Sequence, residues 1–488
     1  MSNVLLLINE EAHIRELARL AELLLRTSDL RPVVYLEDRM RHLAPLEVFA
    51  NLGVEVMTSG AFAGNGRAAL GAQGRGWRRA IAGALIEIGS MKRLPDQIRR
   101  LVSPFDQTDA ALAEGLCNAM LKRAAVAAEV LVQRTYSAIV LSEENVELDT
   151  AVWVAVARRK GVRSIIVPFT ISNTAEFIES YVGHAPYQVS ANPQNRLVAR
   201  LFPEWTERQK GHHFLRTHYA KVVAVERLGL TPPNPWLLNS GYVDAIAVES
   251  LAMRDYYRAA GIPEQQLVTT GSLTDDLMAD VLRQAADKRR TLLQDLTLPQ
   301  DRPVLLAALP PDQKTYDRPG CEFCGFDDLI GFWGQTLAAA AGWNVIVRPH
   351  PKTRPEHLNA LRRHGVAISY IDTAELVPLC DVYVAAVSAT IRWAIACGKP
   401  VVNYDVYQYG YRDYEGVEAV RLVNTRAEFA REIERVTGDQ AYRSKLTACQ
   451  QRDANRWGML DGQTGRRMRV LLGKGSDVQP FRGPDNPS

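Results

Sequence analysis

The sequence predicts an α/β protein of two tandem domains, each a parallel sheet covered by helices. Two observations lead there. From residue 3, short runs rich in Val, Leu and Ile alternate with amphipathic helical stretches, and the alternation starts afresh near residue 303; strands interleaved with helices mark parallel sheets. The length of 488 residues divides the pattern in two, because single hydrophobic cores stop growing at about 250–300 residues. With 47% of residues hydrophobic and 23% charged, the chain can fill both cores.

The first domain is read as residues 1–275. Val4–Asn9 and Pro32–Glu37 are strands flanking a helix over Glu11–Thr27, and Val54–Thr58 is a third strand. The rhythm breaks near 59–135 and again near 170–240, which are read as insertions. Between them come a strand at Ala138–Leu141, a helix at Asp149–Lys160 and a strand at Ser164–Pro168. Asp244–Glu249, the helical Ser250–Arg258 and Gln266–Gly271 complete the domain. Residues 276–300 read as a charged helical connector. The second domain, 301–474, opens on Pro303–Leu309 and has strands at Trp343–Arg348, Val366–Ile371, Val382–Ala386 and Pro400–Tyr404. Helices at Asp327–Ala341, Pro355–His364, Ala374–Cys380 and Thr390–Cys397 separate them. Residues 475–488, rich in Gly, Pro and Asp, are expected to be a disordered tail.

Composition excludes several classes of partner. A formal net charge of +3 is too small to imply nucleic acid, and no nucleic-acid motif stands out. The apolar Asn3–Asn9 lacks the basic start of a signal peptide and runs into Glu10 and Glu11. No apolar run reaches the ~18–20 residues that span a bilayer, so a cytoplasmic protein is expected. Arg67, Arg75, Arg78, Arg79, Lys92, Arg93, Arg99 and Arg100 are interleaved with Trp77, Ile81, Leu85, Ile86 and Met91. This basic segment, 67–100, suits peripheral attachment to the cytoplasmic face of an anionic membrane, or more plainly a solvated helix. Of six cysteines only Cys321 and Cys324 form a Cys-x-x-Cys pair, and no second pair stands nearby. They read as two thiols, and no metal or cofactor is expected.

Ligands of open parallel sheets bind beyond the C-terminal ends of the strands. Arg348, His350, Pro351 and Lys352 follow one strand of the second domain, and Ser388 and Thr390 follow another at the start of a helix. Free backbone N–H groups at such a junction suit a phosphate; the plain alternative for Ser388 or Thr390 is a helix N-cap. His350, between two prolines and two cations, is suited to binding phosphate oxygens, with Gln313 and Lys314 in the loop after Leu309. In the first domain Glu143 and Glu144 directly follow a buried strand. Adjacent carboxylates raise each other's proton affinity toward the value a general base needs; otherwise they are solvated acids beside a helix start. Gly271 and Ser272 end the last strand and are candidates to cradle a sugar or diphosphate, unless the glycine only makes a turn.

Arg348-Pro-His-Pro351 with Ser388-Ala-Thr390 resembles the His-Pro and Ser/Thr motifs of bacterial capsule and lipopolysaccharide glycosyltransferases of the GT-B superfamily, including sialyl-, polysialyl- and Kdo-transferases. The resemblance covers most of 1–474 in architecture, with its motifs within 303–405. It implies two Rossmann-like domains facing across a cleft, a CMP-sugar donor, a cell-surface glycan or glycoconjugate acceptor, and inversion at the transferred sugar. Glu143-Glu144 is similar to the acidic pair that supplies the base in the CMP-sialate enzymes, with Asn145 where those have Gly. Three alternatives stand beside it. CDP-glycerol transferases carry similar His-Pro segments. UDP-N-acetylglucosamine 2-epimerases share the fold and a segment like Val268–Gly271, although the glycines of their phosphate motif are missing near Val387–Thr390. The third is a non-catalytic scaffold that retains nucleotide affinity.

Overall fold

The computed structural model describes residues 2–27, 29–37, 46–59, 69–70, 76–87, 104–167, 178, 181–182, 184–209, 211–386, 388–410 and 412–473. The tail 475–488, most of the basic segment 67–100 and part of each expected insertion lie outside them. The chain divides into two compact units: residues 1–247, 257–268 and 468–488 form the first, and 248–256 and 269–467 the second.

Strands β1 (Ser2–Ile8), β2 (Leu30–Leu36), β3 (Glu55–Thr58), β4 (Tyr136–Leu141) and β5 (Arg163–Ile166) belong to the sheet of the first unit. Next come β6 (Thr206–Gln209) and β7 (His212–Leu215), an antiparallel hairpin that no alternation in the sequence had marked. Strands β8 (Ala245–Val248) and β9 (Leu267–Thr269) complete the sheet. Its order among the described residues is β3-β2-β1-β4-β5-β8-β9, parallel from β3 to β8. β1 and β4 are almost wholly buried, as expected of strands covered on both faces, which is why they read as continuous apolar runs. The helix Gln107–Gln133 in the first expected insertion is closed at its start by a capping box, Asp106 with Asp109, and packs on helices Tyr219–Leu228 and Thr150–Arg159.

The second unit contains β10 (Val304–Ala308), β11 (Asn344–Arg348), β12 (Ala367–Ile368), β13 (Val382–Ala385), β14 (Val401–Tyr404) and β15 (Val420–Val423). The order is β12-β11-β10-β13-β14-β15, parallel throughout. Counted within the unit this is 3-2-1-4-5-6, the Rossmann order, and the first unit begins in the same way. Alternation along the strands sorts the core onto two faces. Leu305, Ala307, Val345, Val347 and Val384 join the cluster under helix Phe326–Ala338, while Val304, Leu306, Ile346, Tyr383 and Ala385 join the opposite one. The segment 276–300 is more than a connector. Helices Leu273–Arg283 and Ala285–Asp295 contribute Val281, Leu292 and Leu293 to that second cluster, an apolar role hidden by their charged outer faces. Among the described residues, no helix is long and apolar enough to cross a membrane.

Candidate functional site

Strand order reverses between β1 and β4 in the first sheet, and between β10 and β13 in the second. The crevice beyond such a reversal is where doubly wound sheets take their ligands. Glu143 and Glu144 fall at the first of these places, and Gln313, Lys314, Arg348 to Lys352, Ser388 and Thr390 fall at or beside the second, whereas Gly271 and Ser272 follow the edge strand β9.

In the first unit, Ser142-Glu143-Glu144-Asn145 leaves β4, and the two acids part. Glu143 is half-buried. Burial is the main cause that raises its pKa; Glu10, at the end of neighbouring β1, adds to this, while Asn145 and Arg216 act against it. Asn145 Nδ2 donates to Glu143 Oε1 at 3.1 Å. Glu144 turns inward and is 7% exposed. Both of its carboxylate oxygens are buried, facing the backbone N–H groups of Gly241 and Tyr242. Burial pushes its pKa up to about 7, against the opposing pull of the Tyr242 and Gly241 N–H groups and of Arg158. It lines a pocket of about 450 Å3, open mouth included, with Asp149, Arg216 and apolar side chains such as Val152, Leu230 and Leu237. Arg216 is 1% exposed; its Nη1 donates to Tyr181 Oη at 2.7 Å and its Nε to the Pro235 carbonyl at 3.0 Å. Beyond the pair, Asp149 adopts φ 54° as N-cap residue of helix Thr150–Arg159 and is salt-bridged by Arg123 and Lys221. Arg123 also pairs with Glu37 just after β2, so four charged groups brace the exit of the loop.

In the second unit the candidates sit at the ends of three neighbouring strands: Gln313 and Lys314 after β10, Arg348 to Lys352 from β11, and Ser388 and Thr390 after β13. His350 is half-buried, and burial, with Lys352 and Arg348, lowers its pKa. Its Nδ1 accepts from the Lys352 N–H at 3.2 Å, which assigns the proton of the neutral ring to Nε2. That leaves Nε2–H as a neutral donor. Arg348 donates from Nε to the Ile371 carbonyl at 2.8 Å and from Nη1 to the Pro349 carbonyl, so its guanidinium shapes the backbone of this edge. Ser388 and Thr390 share a hydrogen bond of 2.8 Å, and Thr390 Oγ1 meets Tyr383 Oη at 2.5 Å. The N-cap residue of the helix Thr390–Ala396 is Ala389, and Ser388 Oγ accepts from the Thr390 N–H at 3.3 Å. Lys314 is exposed with φ 54°.

Gly271 and Ser272 are used inside the fold. Gly271 has φ +81°, and a Cβ there would lie 2.4 Å from Thr464 Oγ1. Ser272 caps helix Leu273–Arg283 with Asp275 and accepts from Arg392 Nη2 at 3.1 Å. Cys321 Sγ lies 3.5 Å from the Val406 carbonyl, and Cys324 is exposed. Among the described residues, no group of three or more His, Cys, Asp or Glu is placed to hold a metal ion.

Sequence reading overlooked Tyr383, Asn239 and Gly241. Tyr383 lay in a strand read only for its apolar pattern. Asn239-Ser-Gly241 carries a turn signal, but nothing local tells which loop the turn supports.

No family model matches the chain, and no curated protein does. Similarity appears among solved structures. A glycotransferase of kitacinnamycin is 13% identical over 96% of this chain and 99% of that one, with a TM-score of 0.51. A Listeria monocytogenes protein described as a UDP-N-acetylglucosamine 2-epimerase is 10% identical over 99% of each, also at 0.51. The fold class is GT-B. A UDP-GlcNAc 2-epimerase from Neisseria meningitidis bound to UDP-GlcNAc is 12% identical over 97% of this chain and 99% of that one, with a TM-score of 0.49.

Proposed function

We propose that the chain is an inverting glycosyltransferase that moves a sugar from a nucleotide-activated donor to a glycan or glycoconjugate acceptor, with Glu143 as general base. One observation carries the choice of base. Of the two acids after β4, Glu143 remains partly open at the strand-order reversal with a raised pKa, whereas both Glu144 oxygens are buried. A base must reach the proton that it takes. Glu143 accepts the proton of an acceptor hydroxyl, and the hydroxyl oxygen attacks the anomeric carbon. The bond from that carbon to the phosphate oxygen breaks, and its electron pair leaves with the nucleotide. His350 Nε2–H, Ser388 and Thr390 donate to the departing phosphate, whose growing charge they stabilise. His350 does so as a neutral donor, in keeping with its lowered pKa. The Arg348-Pro-His-Pro351 and Ser388-Ala-Thr390 motifs favour a CMP-sugar of the Kdo or sialate type as donor.

The test is thermal-shift binding of CMP, CDP, UDP and GDP and their sugars to wild type, H350A and E143Q. Expected are stabilisation by CMP that H350A loses and E143Q keeps, and transfer from the matching CMP-sugar that E143Q reduces by about 100- to 10,000-fold. UDP-selective stabilisation with C2 epimerisation of UDP-N-acetylglucosamine would replace the transferase reading, and unimpaired transfer by E143Q would remove Glu143 as base.

A further inference from the structure

The Glu143 carboxylate is held by little of its own, since among the described residues its one hydrogen-bonded neighbour, Asn145, belongs to the same loop. A base must be aimed to within a fraction of an ångström, so the aim has to come from elsewhere. We infer that the turn Asn239–Gly241 is the positioning element of Glu143: it locks the next residue, Glu144, and so fixes the depth and direction of the Glu143 carboxylate without touching substrate. This rests on Glu143 acting as the base.

The lock has two parts. The Glu144 N–H donates to Asn239 Oδ1 at 2.8 Å, and the Asn239 N–H donates back to the Glu144 carbonyl at 3.1 Å. Both backbone groups of Glu144 are thus held by one residue. Asn239 is itself set: its φ of +66° lies in the left-handed region that Asn tolerates, and its Nδ2 donates to Tyr257 Oη at 3.2 Å, on a fully buried ring. The second part is steric. A Cβ on residue 241 would fall 1.7 Å from Glu144 Oε1 and 1.9 Å from Cδ. The buried carboxyl group therefore occupies the space that only a glycine leaves, and any longer residue must expel it. With Glu144 fixed on one side and β4 on the other, the planar peptides leave the backbone of Glu143 little freedom and so set the direction in which its side chain departs. Thr150 pins the far end of the loop, its Oγ1 accepting from the Asn145 N–H at 2.8 Å.

Two variant sets test this, read by kcat, donor KM and the pH profile of kcat/KM. G241A is expected to lower kcat by about 100-fold, the cost of a misplaced reactive group, with donor KM and nucleotide thermal shift unchanged. Adding E144A, which removes the clashing carboxyl group, should restore most of the turnover. At position 239, N239G keeps the left-handed backbone but loses the acceptor, and should lower kcat and move the acidic limb of the profile. N239D keeps the acceptor and should retain activity. If G241A and N239G turn over like wild type while E143Q is inactive, the positioning role is wrong and the base assignment stands. If G241A is inactive but E144A does not relieve it, the steric lock is likewise overturned. If E143Q is fully active, the base assignment fails, an outcome separate from both. Should G241A not fold, the comparison of N239G with N239D decides alone.

Discussion

Replacing Glu144 by Gln converts its displaced titration into a change of stability with pH. In the folded chain its pKa is raised from 4.5 to about 7, chiefly by burial. Below pH 4.5 both folded and unfolded chains hold the proton, so burial of the acid carries no ionic cost. Between pH 4.5 and 7 the unfolded chain releases it and the folded chain keeps it, so unfolding becomes progressively easier as pH rises. Above 7 both are ionised and the loss is complete. At about 1.4 kcal/mol per pKa unit, the displacement from 4.5 to about 7 amounts to about 3 kcal/mol. E144Q has no proton to lose. Its stability relative to wild type should climb by about 3 kcal/mol from pH 4.5 to 8, whatever constant offset the buried amide adds. Urea unfolding followed by tryptophan fluorescence reads this, since Trp153 and Trp205 are buried in the first unit, and hydrogen exchange over β4 assigns the transition to that unit. A difference between the two proteins that stays flat across this range would refute the reasoning.

Other perturbations follow from the second unit. Asp275 is fully buried and accepts from Arg392 at 3.0 Å, with that side chain 4% exposed; D275A leaves a buried cation unpaired and should cost about 3–5 kcal/mol in urea unfolding. The exposed pair Asp287–Arg290 is a control: D287A should change stability by less than about 0.5 kcal/mol. Y383F removes the hydroxyl that holds Thr390 Oγ1. It should cost about 1 kcal/mol in stability and raise donor KM several-fold, measured by initial rates, with kcat less affected.

How much was legible follows from the range of each interaction. The strands were readable because their signal is local: β1, β4, β10, β11 and β13 are buried on both faces, so each is a nearly unbroken apolar run flanked by helical periodicity. The hairpin β6–β7 was not, since Thr206–Gln209 is polar and largely half-exposed and only Phe214 and Leu215 of His212–Leu215 are apolar and buried, too short a run to signal a strand. The charged outer faces of Leu273–Arg283 and Ala285–Asp295 likewise hid the few apolar residues that bind them to the second core. At the candidate site, what could be read was position: strand ends follow from the apolar runs, so the polar residues just beyond them could be named.

The sequence by itself determined that the chain alternates strand and helix in two series, and that Glu143, Glu144, Arg348, His350, Ser388 and Thr390 stand at strand ends. Only the tertiary structure sets the two acids in different surroundings. They are neighbours in the chain with identical side chains, and they differ because one remains at the open reversal of strand order while the other is pressed into the space left by Gly241, almost a hundred residues away. It likewise gave Arg348 to backbone carbonyls, set the tautomer of His350 through the Lys352 N–H, and turned Ser272 to Arg392. Burial and hydrogen-bond partners are properties of packing between segments distant in sequence, and no local pattern encodes them.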